Sequence, residues 1–126
     1  MKTQRVVVDT WAWLEILKGT ELGRKARDAL SGCSLYTTCG NTYELRYILK
    51  REHGDKADEI ILGIIGNCKV VDLTEVIAKK ASEIKLMKGH GIGAIDCFTL
   101  AAADVLGAKV LTGDPHMKDA KGIIYL

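Results

Sequence analysis

Four carboxylates stand where acidic side chains are costly or informative. Asp9 closes the run Val6-Val7-Val8, and Asp114 follows Leu111-Thr112-Gly113. Glu44 lies one turn into the helical pattern that begins at Asn41. Asp96 is the one charge in the thirteen residues from Gly91 to Ala103, GIGAIDCFTLAAA. Each has an ordinary alternative. Asp9 can cap the following helix, Glu44 and Asp96 can answer a helix dipole, and Gly-Asp-Pro is strong turn chemistry. Asp96 is the hardest to explain that way. A helix apolar nearly all round is buried, and an ionised carboxylate there costs several kcal/mol without a cation or donor to meet it. No Lys or Arg is close to it in sequence, which points to a metal ion.

Three or four acids converging with no interleaved base make an oxygen site for a hard cation. Mg²⁺ and Mn²⁺ take few carboxylates, keep several waters and accept substrate phosphate. Such a site activates water against a phosphodiester and stabilises charge on the phosphoryl and leaving oxygens. The charge balance agrees. The chain has 18 basic and 16 acidic residues. Setting aside the four acids leaves 18 against 12, a balance that suits a polyanion.

The elements that must position these acids alternate between strand and helix. Short β-branched runs occur at Arg5–Asp9, Ser34–Thr37, Lys69–Leu73, Lys109–Thr112 and Gly122–Leu126. Helical patterns cover Trp11–Lys18, Glu21–Leu30, Asn41–His53, Asp55–Gly66, Thr74–Met87 and Ala94–Leu106. Thr74 reads as an N-cap and Gly107 as a C′ glycine. This alternation predicts a mostly parallel sheet with helices on both faces, one α/β domain over residues 1–126. Asp9 and Asp114 then fall at carboxyl ends of strands, where parallel sheets bind ligands.

At 126 residues, 48% hydrophobic and 27% charged, the chain is neither disordered nor fibrous. No uncharged apolar run approaches a membrane span, so no membrane partner is expected. Asp9 and Glu15 interrupt the apolar stretch an export signal would need. Cys33, Cys39, Cys68 and Cys97 lack C-x-x-C spacing, and Cys33 and Cys39 fall in one strand and its following turn. Reduced thiols in a cytoplasmic protein are therefore expected.

Val7-Val8-Asp9-Thr10, Glu44 after the second strand, Ala94-Ile95-Asp96 and Leu111-Thr112-Gly113-Asp114 resemble the four acidic motifs of the PIN domain. In order, spacing and length the whole chain is similar to the VapC-type toxins of prokaryotic toxin–antitoxin pairs. The resemblance implies a metal-dependent endoribonuclease cutting single-stranded or loop RNA to a 3′-hydroxyl and a 5′-phosphate. It also implies a three-layer α/β/α fold with about five strands, usually homodimeric, and a small antitoxin as partner. Carried over, Asp9, Glu44, Asp96 and Asp114 surround Mg²⁺ or Mn²⁺, and Thr10 and Thr112 are supporting hydroxyls. Trp11 departs from the small polar residue common in relatives. Met117, after His116, takes the place of a common aromatic.

Arg46, Lys50 and Lys88 are candidates for RNA contact, with Arg51 and His90 near them, although each is also an ordinary exposed charge. Trp11 and Trp13 point in different directions and read as packing residues rather than base platforms. Asp104 reads as solvated. His53, His90 and His116 lack metal-ligand spacing, and Gly89–Gly93 lacks the lysine of a phosphate loop. A dehalogenase-like phosphatase would need an acid at Trp11, and a receiver domain a late lysine with an acidic pair. Two alternatives within the fold remain: a PIN-like nuclease of RNA processing, and an inactive PIN-like binding module.

Overall fold

The computed structural model describes residues 3–126; Met1 and Lys2, which head the stretch read for an export signal, lie outside them. In the central strand β1 (Arg5–Val8), Val6, Val7 and Val8 are fully buried. Successive side chains of a strand point to opposite faces, and here each face has its own core. Val6 and Val8 pack with Trp13, Leu45, Ile61 and Leu111, whereas Val7 packs with Ile77, Cys97, Leu100 and Val110. Burying each such side chain stabilises by roughly 1.5–3 kcal/mol.

The first core is covered by α1 (Thr10–Lys18), α2 (Glu21–Leu30), α3 (Cys39–His53) and α4 (Ala57–Ile65). The second is covered by α5 (Glu75–Lys88) and α6 (Ala94–Leu106). Between them lies a five-stranded sheet that adds β2 (Ser34–Thr38), β3 (Lys69–Val71), β4 (Lys109–Thr112) and β5 (Ile123–Tyr125). The strand order is β3-β2-β1-β4-β5 and every pairing is parallel. The result is the expected three-layer α/β/α arrangement.

The chain steps outward from β1 to β2 to β3, then returns across the sheet to pair β4 with β1. Val7 stands opposite Tyr36 on one side and Val110 on the other. Strand order therefore reverses between β1 and β4, and a crevice opens at their carboxyl ends. Asp9 and Asp114 flank that crevice.

Local sequence explains most boundaries. Thr20, Thr38 and Thr74 accept backbone hydrogen bonds at the amino ends of α2, α3 and α5. Gly107 ends α6 in the left-handed conformation at φ 61°. Gly23 lets α2 cross the backbone of α1, because an added Cβ would collide with the Glu15 carbonyl. Three expectations are corrected. Helix α3 starts at Cys39 rather than Asn41, because Thr38 and Asn41 form a capping box that draws Cys39 into its first turn. A 3₁₀ turn at Gly54–Lys56 delays α4 to Ala57, and β3 stops at Val71. All four cysteines are unpaired. Among the described residues no helix is long and apolar enough to cross a membrane.

Candidate active site

Asp9 follows β1 directly and is 2% exposed. It occupies the N-cap position of α1, yet its side chain makes no capping hydrogen bond. The carboxylate is held from elsewhere. Thr112 Oγ1 donates to Oδ2 at 2.7 Å, and Asn41 Nδ2 approaches Oδ1 at 3.5 Å. Burial drives the Asp9 pKa from about 3.8 up to about 6, against the Thr112 hydroxyl and the Thr10 amide, with Glu44 and Asp114 adding repulsion.

Asp96 occupies the first turn of α6, the one charge in that helix before Asp104, and the helix packs on the sheet and on α5. Burial raises its pKa to about 7, reinforced by the charges of Asp9, Asp114 and Glu44 in that order. The fold therefore brings the four acids near enough for three of them to oppose ionisation of the fourth. No Lys or Arg pairs with any of the four among the described residues.

Glu44 enters from α3, where the hydroxyl of Thr10 donates to its Oε1 at 2.7 Å. Asp114 follows β4, and its N–H donates to Thr112 Oγ1 at 3.0 Å. Gly113 is required there: the ring of Trp11 lies against it so closely that a Cβ would overlap the indole. Trp11 thus braces the segment that carries Asp114. Trp13 is buried and donates through Nε1 to Thr37 Oγ1 at 3.2 Å, so both indoles are packing residues.

Two residues missed by sequence reasoning complete the site. Asn41, fully buried, donates from Nδ2 to Thr10 Oγ1 and Thr99 Oγ1, each at 3.1 Å. Its Oδ1 accepts from the Thr38 N–H and hydroxyl at 3.0 and 2.8 Å. The available signal was Thr38-x-x-Asn41, a capping-box spacing three residues ahead of Glu44. His116 is the other. Its Nδ1 lies 3.0 Å from Asp114 Oδ1, and its N–H donates to the same oxygen at 2.9 Å. This imidazole is a base among the acids, where none was expected.

The donor chemistry fits a hard divalent cation. The four acids offer carboxylate oxygens, no Lys or Arg pairs with them among the described residues, and two of the carboxyls are kept from ionising freely by burial and mutual repulsion. Among the described residues no three His, Cys, Asp or Glu side chains are already grouped around one metal-ion position. Asp96 instead shares a side-chain hydrogen bond with Asp114 that favours its neutral form, and Mg²⁺ keeps several waters in place of protein ligands.

The candidate RNA contacts do not share one place. Arg46 and Lys50 line a cleft of about 740 Å³ along α3, paired there with Asp58 and Asp55 at 3.3 and 3.2 Å. Lys88 lies on a different cleft with Met87 and Leu100. Asp104 is paired with Lys80 at 2.7 Å rather than merely solvated.

The fold is similar to that of a toxin–antitoxin complex from Klebsiella pneumoniae, at 16% identity over 94% of this chain and 95% of that one, TM-score 0.76. It is similar to DNA-bound VapBC of Salmonella typhimurium, at 18% identity over 99% and 98%, TM-score 0.76. A Mycobacterium tuberculosis VapC toxin that cleaves the sarcin–ricin loop gives 17% identity over 93% and 95%, TM-score 0.75. No curated protein matches by sequence. The PIN domain profile matches residues 6–123, from the first buried valine of β1 to the opening residue of β5, and by that match the chain belongs to the PIN domain family.

Proposed function

We propose that this chain is a Mg²⁺- or Mn²⁺-dependent endoribonuclease, the toxin of a toxin–antitoxin pair, acting in the cytoplasm as a homodimer and neutralised by a small antitoxin. One observation carries the reading. Asp9 and Asp114 follow the two strands between which strand order reverses, the charges of Asp9, Asp114 and Glu44 all oppose ionisation of Asp96, and among the described residues no Lys or Arg pairs with any of the four. The VapC and toxin–antitoxin relatives in the PIN fold support the same assignment.

Asp9, Glu44, Asp96 and Asp114 would hold the cation. Bound there, it supplies Lewis acidity toward water and toward a phosphodiester. The chain's own residues set the geometry. Thr112 fixes one oxygen of Asp9, and Thr10 fixes Oε1 of Glu44. His116 holds Oδ1 of Asp114. Without the cation the same cluster repels RNA.

Incubation of the purified protein with unstructured RNA tests the reading. Cleavage with Mg²⁺ or Mn²⁺, lost on Asp9→Asn or Asp96→Asn with the fold intact, is the expected result. Equal cleavage in excess chelator overturns it. A short neighbouring reading frame encoding a DNA-binding protein that co-purifies with this chain and suppresses cleavage identifies the toxin role over RNA processing.

A further inference from the structure

The amino end of α6, which carries Asp96, has no side-chain cap, its N-cap being Gly93. The segment Gly91–Gly93 leads into it, and three contacts hold that segment. The Ile92 side chain is buried in the second core with Ile77 and Leu100. Gly91 lies beside the His116 ring, so near that an added Cβ would stand 3.5 Å from Cδ2. Lys85, half-buried on α5, donates from Nζ to the Ile92 carbonyl. The Asp96 carboxyl lies over the same backbone, its Oδ2 3.9 Å from where a Cβ on Gly93 would be.

Helix electrostatics do not account for the place of Lys85. Its charge reaches the Cys97 thiol in the first turn of α6, where a cation opposes the macrodipole. What it gains there is a carbonyl four residues ahead of Asp96, and a charged donor makes a hydrogen bond roughly twice as strong as a neutral one. We propose that Lys85 is a positioning residue: by holding the Ile92 carbonyl it fixes the turn from which the Asp96 carboxyl meets the candidate cation. The inference rests on the cation reading of the four acids. The segment it holds touches the supports of two of them, since its other end lies against the ring that holds Asp114.

A control is built into the same pair of helices. Lys80 ties α5 to the far end of α6 through Asp104 at 2.7 Å. The test is titration calorimetry of the full chain with Mn²⁺, with amide hydrogen exchange in EDTA as the second readout. Lys85→Met keeps the stem and removes the donor. It should weaken Mn²⁺ binding about 10- to 100-fold. It should also speed exchange of the Cys97 amide, which bonds the Gly93 carbonyl, by about 10-fold. Lys85→Arg restores most of both, and Lys80→Met changes neither. Equal losses in Lys80→Met overturn the proposal, because any loosening of the helix pair would then suffice. So does either change in Lys85→Met without the other, or neither. Cleavage by the wild type with unchanged Mn²⁺ affinity in Lys85→Met defeats the positioning role and leaves the nuclease reading standing. The predicted pattern in a chain that binds Mn²⁺ but never cleaves RNA does the reverse.

Discussion

Thr112 Oγ1 donates a 2.7 Å hydrogen bond to Oδ2 of Asp9, joining the ends of neighbouring strands 103 positions apart in the chain. The same oxygen accepts the N–H of Asp114 at 3.0 Å. One buried hydroxyl thus sets the position of two acids and opposes the burial that pushes Asp9 toward its neutral form. Thr112→Val keeps the volume and removes both interactions. Metal affinity is expected to fall about 10- to 100-fold, as for other residues that orient ligands. Titration calorimetry with Mn²⁺ checks it, with Thr112→Ser restoring most of the loss. Unchanged affinity in the valine variant would show that Thr112 does no more than pack.

Asn41 connects more of the site than any single acid does. Its amide reaches Thr10, Thr99 and Thr38, and Thr10 in turn holds Glu44. Replacing it with Ala removes half of a capping box and strands several buried donors and acceptors. The expected cost is about 2–4 kcal/mol in urea unfolding. Because Thr10 loses its fixed orientation, kcat should fall more than KM rises. A stability loss below about 1 kcal/mol would contradict the network.

The order of strands and helices was legible because it follows from local pattern: valine runs covered on both faces, helical periodicity, threonine caps. The acids of the candidate site stood out in the sequence as misplaced charge, Asp96 above all. What escaped was set by contacts between distant segments. Asn41 reads as an unremarkable polar residue at the mouth of a helix, and only the meeting of β1, α3 and α6 buries it. His116 has no metal-ligand spacing in sequence, and the turn Pro115–Met117 is what folds its ring back on Asp114. Arg46 and Lys50 were legible as basic. Their pairing with Asp58 and Asp55 depends on the 3₁₀ turn that places α4 beside α3.

The metal-free protein is expected to lose stability as pH rises from about 4 to 7. Asp9 and Asp96 have ordinary values near 3.8 in the unfolded chain and about 6 and about 7 in the folded one. In that interval the folded chain binds more protons than the unfolded chain, so the free energy of unfolding falls with pH. For Asp9, nearly inaccessible to solvent, the contribution is on the order of 3 kcal/mol, present in full below pH 3.8 and gone above about 6. Asp96 adds a smaller amount because solvent screens it. Urea unfolding in EDTA at pH 5 and pH 8 checks the slope, and Mg²⁺ should restore more stability at pH 8 than at pH 5. Equal gains at both values would mean that the cation binds away from these carboxyls.

Asp96→Asn separates function from stability most sharply. The substitution keeps the shape of the side chain and removes a charge that burial and three other acids oppose. In the metal-free protein at pH 8 it should therefore stabilise, by about 1 kcal/mol or about 3–5 °C in Tm. Cleavage should be lost, and with it most of the Tm gain that Mg²⁺ gives the wild type. Differential scanning calorimetry with and without Mg²⁺ reads both effects on one sample. A lower Tm for the metal-free variant would mean that Asp96 contributes to the fold through helix α6, in which case its burial would no longer argue for a cation site.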